Sequence, residues 1–418
     1  LWPFFSRLKL VGGVSLIAFI GHFFGFGREV ATAYFFGASN IADGIIVGLV
    51  PLTLYTSVFG TAYANAAIVH IKDSGSSDIV QQSVAPLVIL GAFSLLLFGF
   101  FAEYIVATIA PGLIGEGRKL AEVFVRFSGV GAALVSLSFL GRSLLYLDRK
   151  FVRASISDLM PNLGAIIGIV LLYQYLGLPG IVVGGVLGYV LQYLVVYRGG
   201  TYRLSPKFFS SLLSPIQKKI YKATALTALS YTVVYVDILV DRYFASSLGE
   251  GSVSAMNYAY KLMQFPLYTV IFAISTISFP SLIEAKNDAA KFSKLKKKVL
   301  FQVVVVALLA ALIFIFFADE IVALLFGYGK FGSNDVAVTA SVFRIYSIGL
   351  VGHALVIIAS RIHYANENFR TPLIAGLCAA IVNVVLNFLL VDDFGVNGLA
   401  AATSIAAMCN GILLIYLR

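Results

Sequence analysis

The stretch VDILVDRYF, Val236–Phe244, sets three charged side chains, Asp237, Asp241 and Arg242, deep inside a long apolar region. On a helix, positions four apart share a face, so Asp237 and Asp241 point the same way, with Arg242 turned roughly 100° from them. What that face can meet depends on the solvent the chain is built for. Hydrophobic residues make up 60% of the sequence and charged ones only 12%, and the mean hydropathy is +0.94. Soluble domains carry roughly 25% charged residues, so this is the composition of an integral membrane protein.

Twelve apolar runs are each long enough for the ~20 residues a helix needs to cross a bilayer. They fall near 9–34, 41–70, 82–108, 119–147, 155–176, 179–198, 218–246, 252–283, 298–325, 336–362, 371–391 and 395–416. Lys and Arg fix their direction, because basic loops stay on the cytoplasmic side. With the N-terminus inside, 21 of the 30 basic residues fall on cytoplasmic segments and 3 on external loops. Residues 198–222 and 285–298 carry six each, including Lys296, Lys297 and Lys298. Both termini are therefore expected in the cytoplasm. The net charge of +10 is explained by topology, and with no basic domain outside the membrane a nucleic-acid partner is excluded. Cys378 and Cys409 fall in apolar runs, which predicts no disulfide framework.

The chain also matches itself. At an offset of 218, Arg126 falls on Arg344, Tyr146 on Tyr364, Phe151 on Phe369, and GLPG (177–180) on GVNG (395–398). At an offset of 213, LYTSVF (54–59) falls on LYTVIF (267–272). The expected fold is an all-α integral membrane protein of about twelve transmembrane helices. They form two six-helix lobes, 1–215 and 216–418, related by a pseudo-two-fold axis along the membrane normal. Transporters built from such repeats bind substrate between the halves and alternate access. No nucleophile or acid–base set marks an enzyme, and His22, His70, His353 and His363 have no metal-ligand spacing.

Charge inside a membrane is costly, at least ~2.5–3.5 kcal/mol per residue at a helix centre, so the charges in the runs single out candidate sites. Asp237 and Asp241 must face the bundle interior, as a proton relay, a cation ligand or an arginine's partner, and Arg242 is expected to neutralise one of them or to snorkel. Asn383 and Asn387 share a face and offer hard oxygens suited to Na⁺, or else hydrogen bonds between helices. In the other lobe FGFGREVATAYFFGASNIAD brings Arg28, Glu29 and Asp43, and Arg28 has the guanidinium geometry that clamps phosphate. Lys261 and Arg344 are further positive candidates for an anionic substrate.

These motifs resemble the MurJ/MviN lipid II flippases of the MOP (multidrug/oligosaccharidyl-lipid/polysaccharide) exporter superfamily. GREVATAYFFGASNIADGIIVG, DRYFASSLGEGSVSAMNYAYKLMQFPL, LFGYGKF, YANENFRTPL and VNVVLNFLL with GVNGLAAATSIA carry the likeness over nearly the whole chain. The resemblance implies export of a polyprenyl-diphosphate-linked saccharide, lipid II or a related glycan, across the bacterial inner membrane. No prosthetic cofactor is expected, with Na⁺ or H⁺ coupling or the membrane potential as the drive, membrane lipids as surroundings, and a monomer, since this architecture needs no partner to form its cavity. Arg28, Glu29 and Asp43 match the family's first-lobe cavity residues. Lys261 stands where the family usually has Arg. Asp241, Asn383, Asn387 and Thr403 match its sodium site, in which the second asparagine is commonly Asp, and Asp237 is assigned to gating or ion relay. The family's helix-2 arginine is missing near Tyr55, Thr56 and Ser57, and the chain ends after twelve runs where the family typically has fourteen helices. A less positive cavity leaves the glycan open, and a drug or cation antiporter of the same superfamily is the alternative.

Overall fold

Backbone amides cannot be left unpaired in lipid, so an apolar chain of this kind satisfies them within helices. In the computed structural model the described residues are 20–60, 62–63, 65–68, 77–197 and 212–417, and the regular structure among them is helical. The start of the first expected run (9–19), His70 and most of the 198–222 loop lie outside the described residues. In order the helices are α1 (20–36), α2 (Asn40–Tyr55, continued by a π-turn at Thr56–Gly60), α3 (Ser77–Ile109) and α4 (Gly115–Leu147). There follow α5 (Phe151–Ile167, continued by a π-turn at Gly168–Leu172), α6 (Leu178–Val196), α7 (Pro215–Ser246) and α8 (Ser252–Ala285, with a π-turn at Leu267–Ile271). The last are α9 (Ala289–Phe316), the short α10 (Ala318–Phe326), α11 (Ser333–Ala365) and α12 (Arg370–Tyr416). Among the described residues nine helices are long and apolar enough to cross a membrane.

Two of these differ from the expected runs. At 47 residues, α12 would reach about 70 Å if straight, far beyond the ~30 Å hydrocarbon layer. It breaks at Gly395, whose φ of 55° and ψ of −133° suit only glycine. The ninth run begins earlier than hydropathy predicts, because Asp288 caps α9 by accepting a hydrogen bond from the Lys291 amide at 3.0 Å. Lys and Ala are good helix formers, so the Lys294–Lys298 segment is helical although it is too charged to read as a span.

The chain packs as two compact units. Of the described residues, the first contains those up to Phe35 and those within Gly44–Thr108 and Ile114–Thr232; the second contains Phe36–Asp43, Ile109–Leu113 and those from Val233 onward. In the first, α5 and α6 approach until their backbones nearly touch: a Cβ on Gly164 would lie 2.4 Å from the Cα of Gly188, and one on Gly184 2.2 Å from the Cα of Gly168. Small residues spaced by four are what such packing in lipid needs. In the second, α11 packs against α8, α9 and α12, and Tyr258, Phe326 and Phe331 form an aromatic cluster with centroids 5.1–5.9 Å apart.

Local geometry repeats at the offset of 218. Tyr146 and Phe151 pack at 6.0 Å across the end of α4, and Tyr364 and Phe369 at 5.4 Å across the end of α11. Arg149 and Glu367 are the positive-φ non-glycine residues of the described chain, at 60° and 59°. Gly177 (φ 63°, ψ −148°) ends the helix that precedes α6, as Gly395 divides α12.

Candidate functional site

In the second unit, α7 and the two arms of α12 build a buried polar cluster. Asp237 and Asp241 do share a face of α7, but their surroundings differ. Asp241 Oδ1 accepts from Asn387 Nδ2 at 2.9 Å and Oδ2 from Thr403 Oγ1 at 3.2 Å. Asn387 Nδ2 also donates to Asn383 Oδ1 at 3.1 Å, and Asn383 Nδ2 to Thr403 Oγ1 at 3.2 Å. Both asparagines are fully buried. The Oδ1 atoms of Asn387 and Asp237 are buried with no hydrogen-bond partner. Buried polar atoms are almost always paired, so an orphan oxygen beside a carboxylate, an amide oxygen and a hydroxyl is suited to a small hard cation.

Arg242 makes no direct ion pair with these carboxylates, and the expected neutralisation of Asp241 is by its charge at a distance. The 100° turn aims it at α8, where it donates to the Val253 carbonyl at 3.1 Å and to Asn257 Oδ1 at 2.8 Å. Tyr346 of α11 lies beside Asp241 and Thr403. Its ring packs on Tyr260 at 5.3 Å, and Tyr260 on His353 at 6.2 Å. In a chain with 22 tyrosines nothing in spacing singles these rings out.

In the first unit Arg28 donates to Glu29 Oε1 at 2.6 Å and to Asn162 Oδ1 of α5 at 3.2 Å, and Tyr189 of α6 is a close electrostatic neighbour. Glu29 is 2% exposed. Asn162 was legible in principle, because a polar residue inside an apolar helix faces the bundle interior. The offset of 213 that relates LYTSVF to LYTVIF also lays Arg28 on Asp241 and Glu29 on Arg242. Corresponding helices thus carry the same charge pair with the signs exchanged.

The other candidates have defined partners. Asp43 belongs to the second unit, where Oδ1 accepts from the Ser254 amide at 2.6 Å and Oδ2 from the Gly251 amide at 2.8 Å. It caps α8 from two hundred residues away in sequence, and Gly251 is required there, since a Cβ would lie 2.3 Å from the Ala38 carbonyl. Arg344, expected among the substrate ligands, is instead half-exposed, bonded to Asp319 and to the Ile315 carbonyl. Arg126 and Glu103 make the matching ion pair in the first unit at 3.3 Å, which marks both pairs as parts of the scaffold. Lys261 lies on α8, one helical turn beyond Asn257.

A family model described as "Lipid II flippase MurJ" matches residues 26–418. A probable lipid II flippase MurJ of Buchnera aphidicola subsp. Acyrthosiphon pisum is 29% identical, covering 98% of this chain and 83% of the relative. The lipid II flippase MurJ of Burkholderia cenocepacia is 28% identical with the same coverages. Among solved structures, a lipid II flippase MurJ in an inward closed conformation superposes with a TM-score of 0.82 at 22% identity, over 96% of this chain and 86% of that one. An inward-facing multidrug resistance transporter of the MATE family superposes at 0.76 and 15% identity, over 94% and 92%. The latter two establish a MOP-type fold, and with the family match over nearly the full length this multi-pass membrane protein belongs to the MurJ lipid II flippase family.

Proposed function

We propose that the protein moves a polyprenyl-diphosphate-linked saccharide, lipid II or a closely related lipid-linked glycan, from the inner to the outer leaflet of the bacterial inner membrane by alternating access. The observation that carries this reading is the family match from residue 26 to residue 418, which includes the buried charges of both units. Arg28 supplies the cation for the diphosphate, held by Glu29 and Asn162 until the substrate arrives, and Lys261 adds positive charge. The chain crosses the membrane twelve times as a monomer, with both termini in the cytoplasm. The drug and cation antiporter alternative is supported only by a fold shared with a multidrug resistance transporter of the MATE family.

The cluster of Asp241, Asn383, Asn387 and Thr403 is the proposed seat of the coupling cation, Na⁺ or H⁺. The unpartnered Asn387 oxygen supports this assignment, and Asp237, one turn away, serves as a relay. The cation's binding energy supplies the differential stabilisation that a shift between conformations requires.

The test is protection of a lipid-linked precursor in sealed proteoliposomes, read as the fraction that reaches the opposite leaflet. Wild-type protein should transfer the precursor and Arg28→Ala should not, with the variant's unfolding temperature kept within a few degrees. Transfer by Arg28→Ala at the wild-type rate would rule out the proposed role of the first-unit arginine.

A further inference from the structure

We propose that Arg361, near the end of α11 and against two phenyl rings of α8, is a binding site for the phosphate of an anionic lipid. Its guanidinium carbon lies 5.5 Å from the ring centre of Phe272 and 5.1 Å from that of Phe279. The two rings are seven residues apart on α8, so they occupy one face two turns apart, and both lie within cation–π range of the guanidinium. The rings offer no acceptor to its five N–H donors. Among the described residues no carboxylate or carbonyl accepts from them.

Depth points to the ligand. Arg361 lies one turn before the end of α11 at Ala365. At the same end α8 finishes at Ala285, followed by Lys286 and by five more lysines up to Lys298. This is the end that the basic-residue count assigns to the inner surface, and Arg361 lies on its approach, on the inner side of the phospholipid phosphates. A planar guanidinium there matches a phosphate oxygen pair.

This site does not depend on the transport reading. The shared chemistry is a phosphate ester on a lipid, available from bulk phosphatidylglycerol or from the diphosphate of an arriving polyprenyl lipid. The experiment is native mass spectrometry of the purified full chain with phosphatidylglycerol, phosphatidylcholine and undecaprenyl diphosphate. Wild-type protein should retain phosphatidylglycerol over phosphatidylcholine, and Arg361→Gln should lower that retention about tenfold, as expected for one charged hydrogen-bonded contact. Phe279→Leu, which keeps the charge and loses one ring, should give an intermediate loss, and Arg370→Gln, an exposed cation beyond the same end, less than about twofold. Displacement of phosphatidylglycerol by undecaprenyl diphosphate, only while Arg361 is present, would identify the substrate's diphosphate as the occupant. Resistance to displacement would identify bulk lipid. Equal retention by wild type and Arg361→Gln, or a loss as large in Arg370→Gln, would overturn the site, whatever the transport assay gives.

Discussion

Asp237 and Asp241 are one helical turn apart on the same face of α7, yet only Asp241 has both oxygens partnered. What separates them is the helix opposite. Asn383 and Asn387 repeat the same four-residue spacing and meet Asp241 alone. That spacing was legible, because both pairs are i,i+4 polar steps in apolar helices. Thr403 was placed by resemblance, and Tyr346 and Arg242's turn toward α8 were not foreseen, since a neighbouring helix decides them. Replacing Asn387 by Asp puts a second carboxylate against Asp241, so without a cation the two charges repel. Asn387→Asp should therefore unfold at a lower temperature than wild type in choline chloride. It should regain more on adding NaCl than wild type does, because the ligand stabilises the folded state by mass action. A sodium-induced rise no larger than that of wild type would remove the cluster from the list of cation sites.

At the scale of elements, hydropathy located the helices but not their joints. Periodicity carries no mark for a π-turn, and the cap at Asp288 hides in a charged stretch that reads as loop. The glycine joints were visible as the GLPG and GVNG match, and their geometry explains it. Gly177 and Gly395 adopt nearly the same backbone angles, outside the range of a residue with a side chain. Gly177→Ala and Gly395→Ala should each cost about 1–3 kcal/mol, and by similar amounts, measured as paired shifts in thermal unfolding. A large cost at one joint with none at the other would separate the two turns. Asp43→Asn, which keeps an acceptor and loses the charge, should cost about 1–2 kcal/mol through the weakened cap of α8.

A pair outside the spans joins the turn after α8 to the turn between α11 and α12: Lys286 donates to Glu367 at 2.8 Å and holds that carboxyl below its usual range. A depressed carboxyl pKa stabilises the fold above its unfolded value near 4.5 and ceases to do so as the pH falls through the folded one. The pair should thus contribute fully at neutral pH and vanish on acidification. Lys286→Gln should bring the Glu367 carboxyl resonance back toward its ordinary titration midpoint, and an unchanged midpoint would mean the contact is not formed in solution.

Across the whole molecule the duplication explains both what the two halves share and where they differ. The tyrosine–phenylalanine packing, the positive-φ turn residues, the glycine joints and the Arg126 and Arg344 ion pairs recur because they hold a lobe together. The charged dipeptide does not recur. Arg28–Glu29 becomes Asp241–Arg242 on the corresponding helix. One scaffold therefore places a partly buried arginine at this position in the first unit and a partly buried aspartate in the second, a division suited to an anionic substrate and a cationic coupling ion. Composition could not reveal it, because the exchange leaves net charge unchanged; the repeat register does. If the division holds, the two ligands are separable. Arg28→Gln should abolish the rise in unfolding temperature produced by a polyprenyl diphosphate and keep the rise produced by Na⁺, and Asp241→Asn should do the reverse. Coupling, the change in lipid affinity caused by Na⁺, should disappear in both, because linkage between two ligands is reciprocal. Loss of both responses from either single variant would mean that the two ligands share one site.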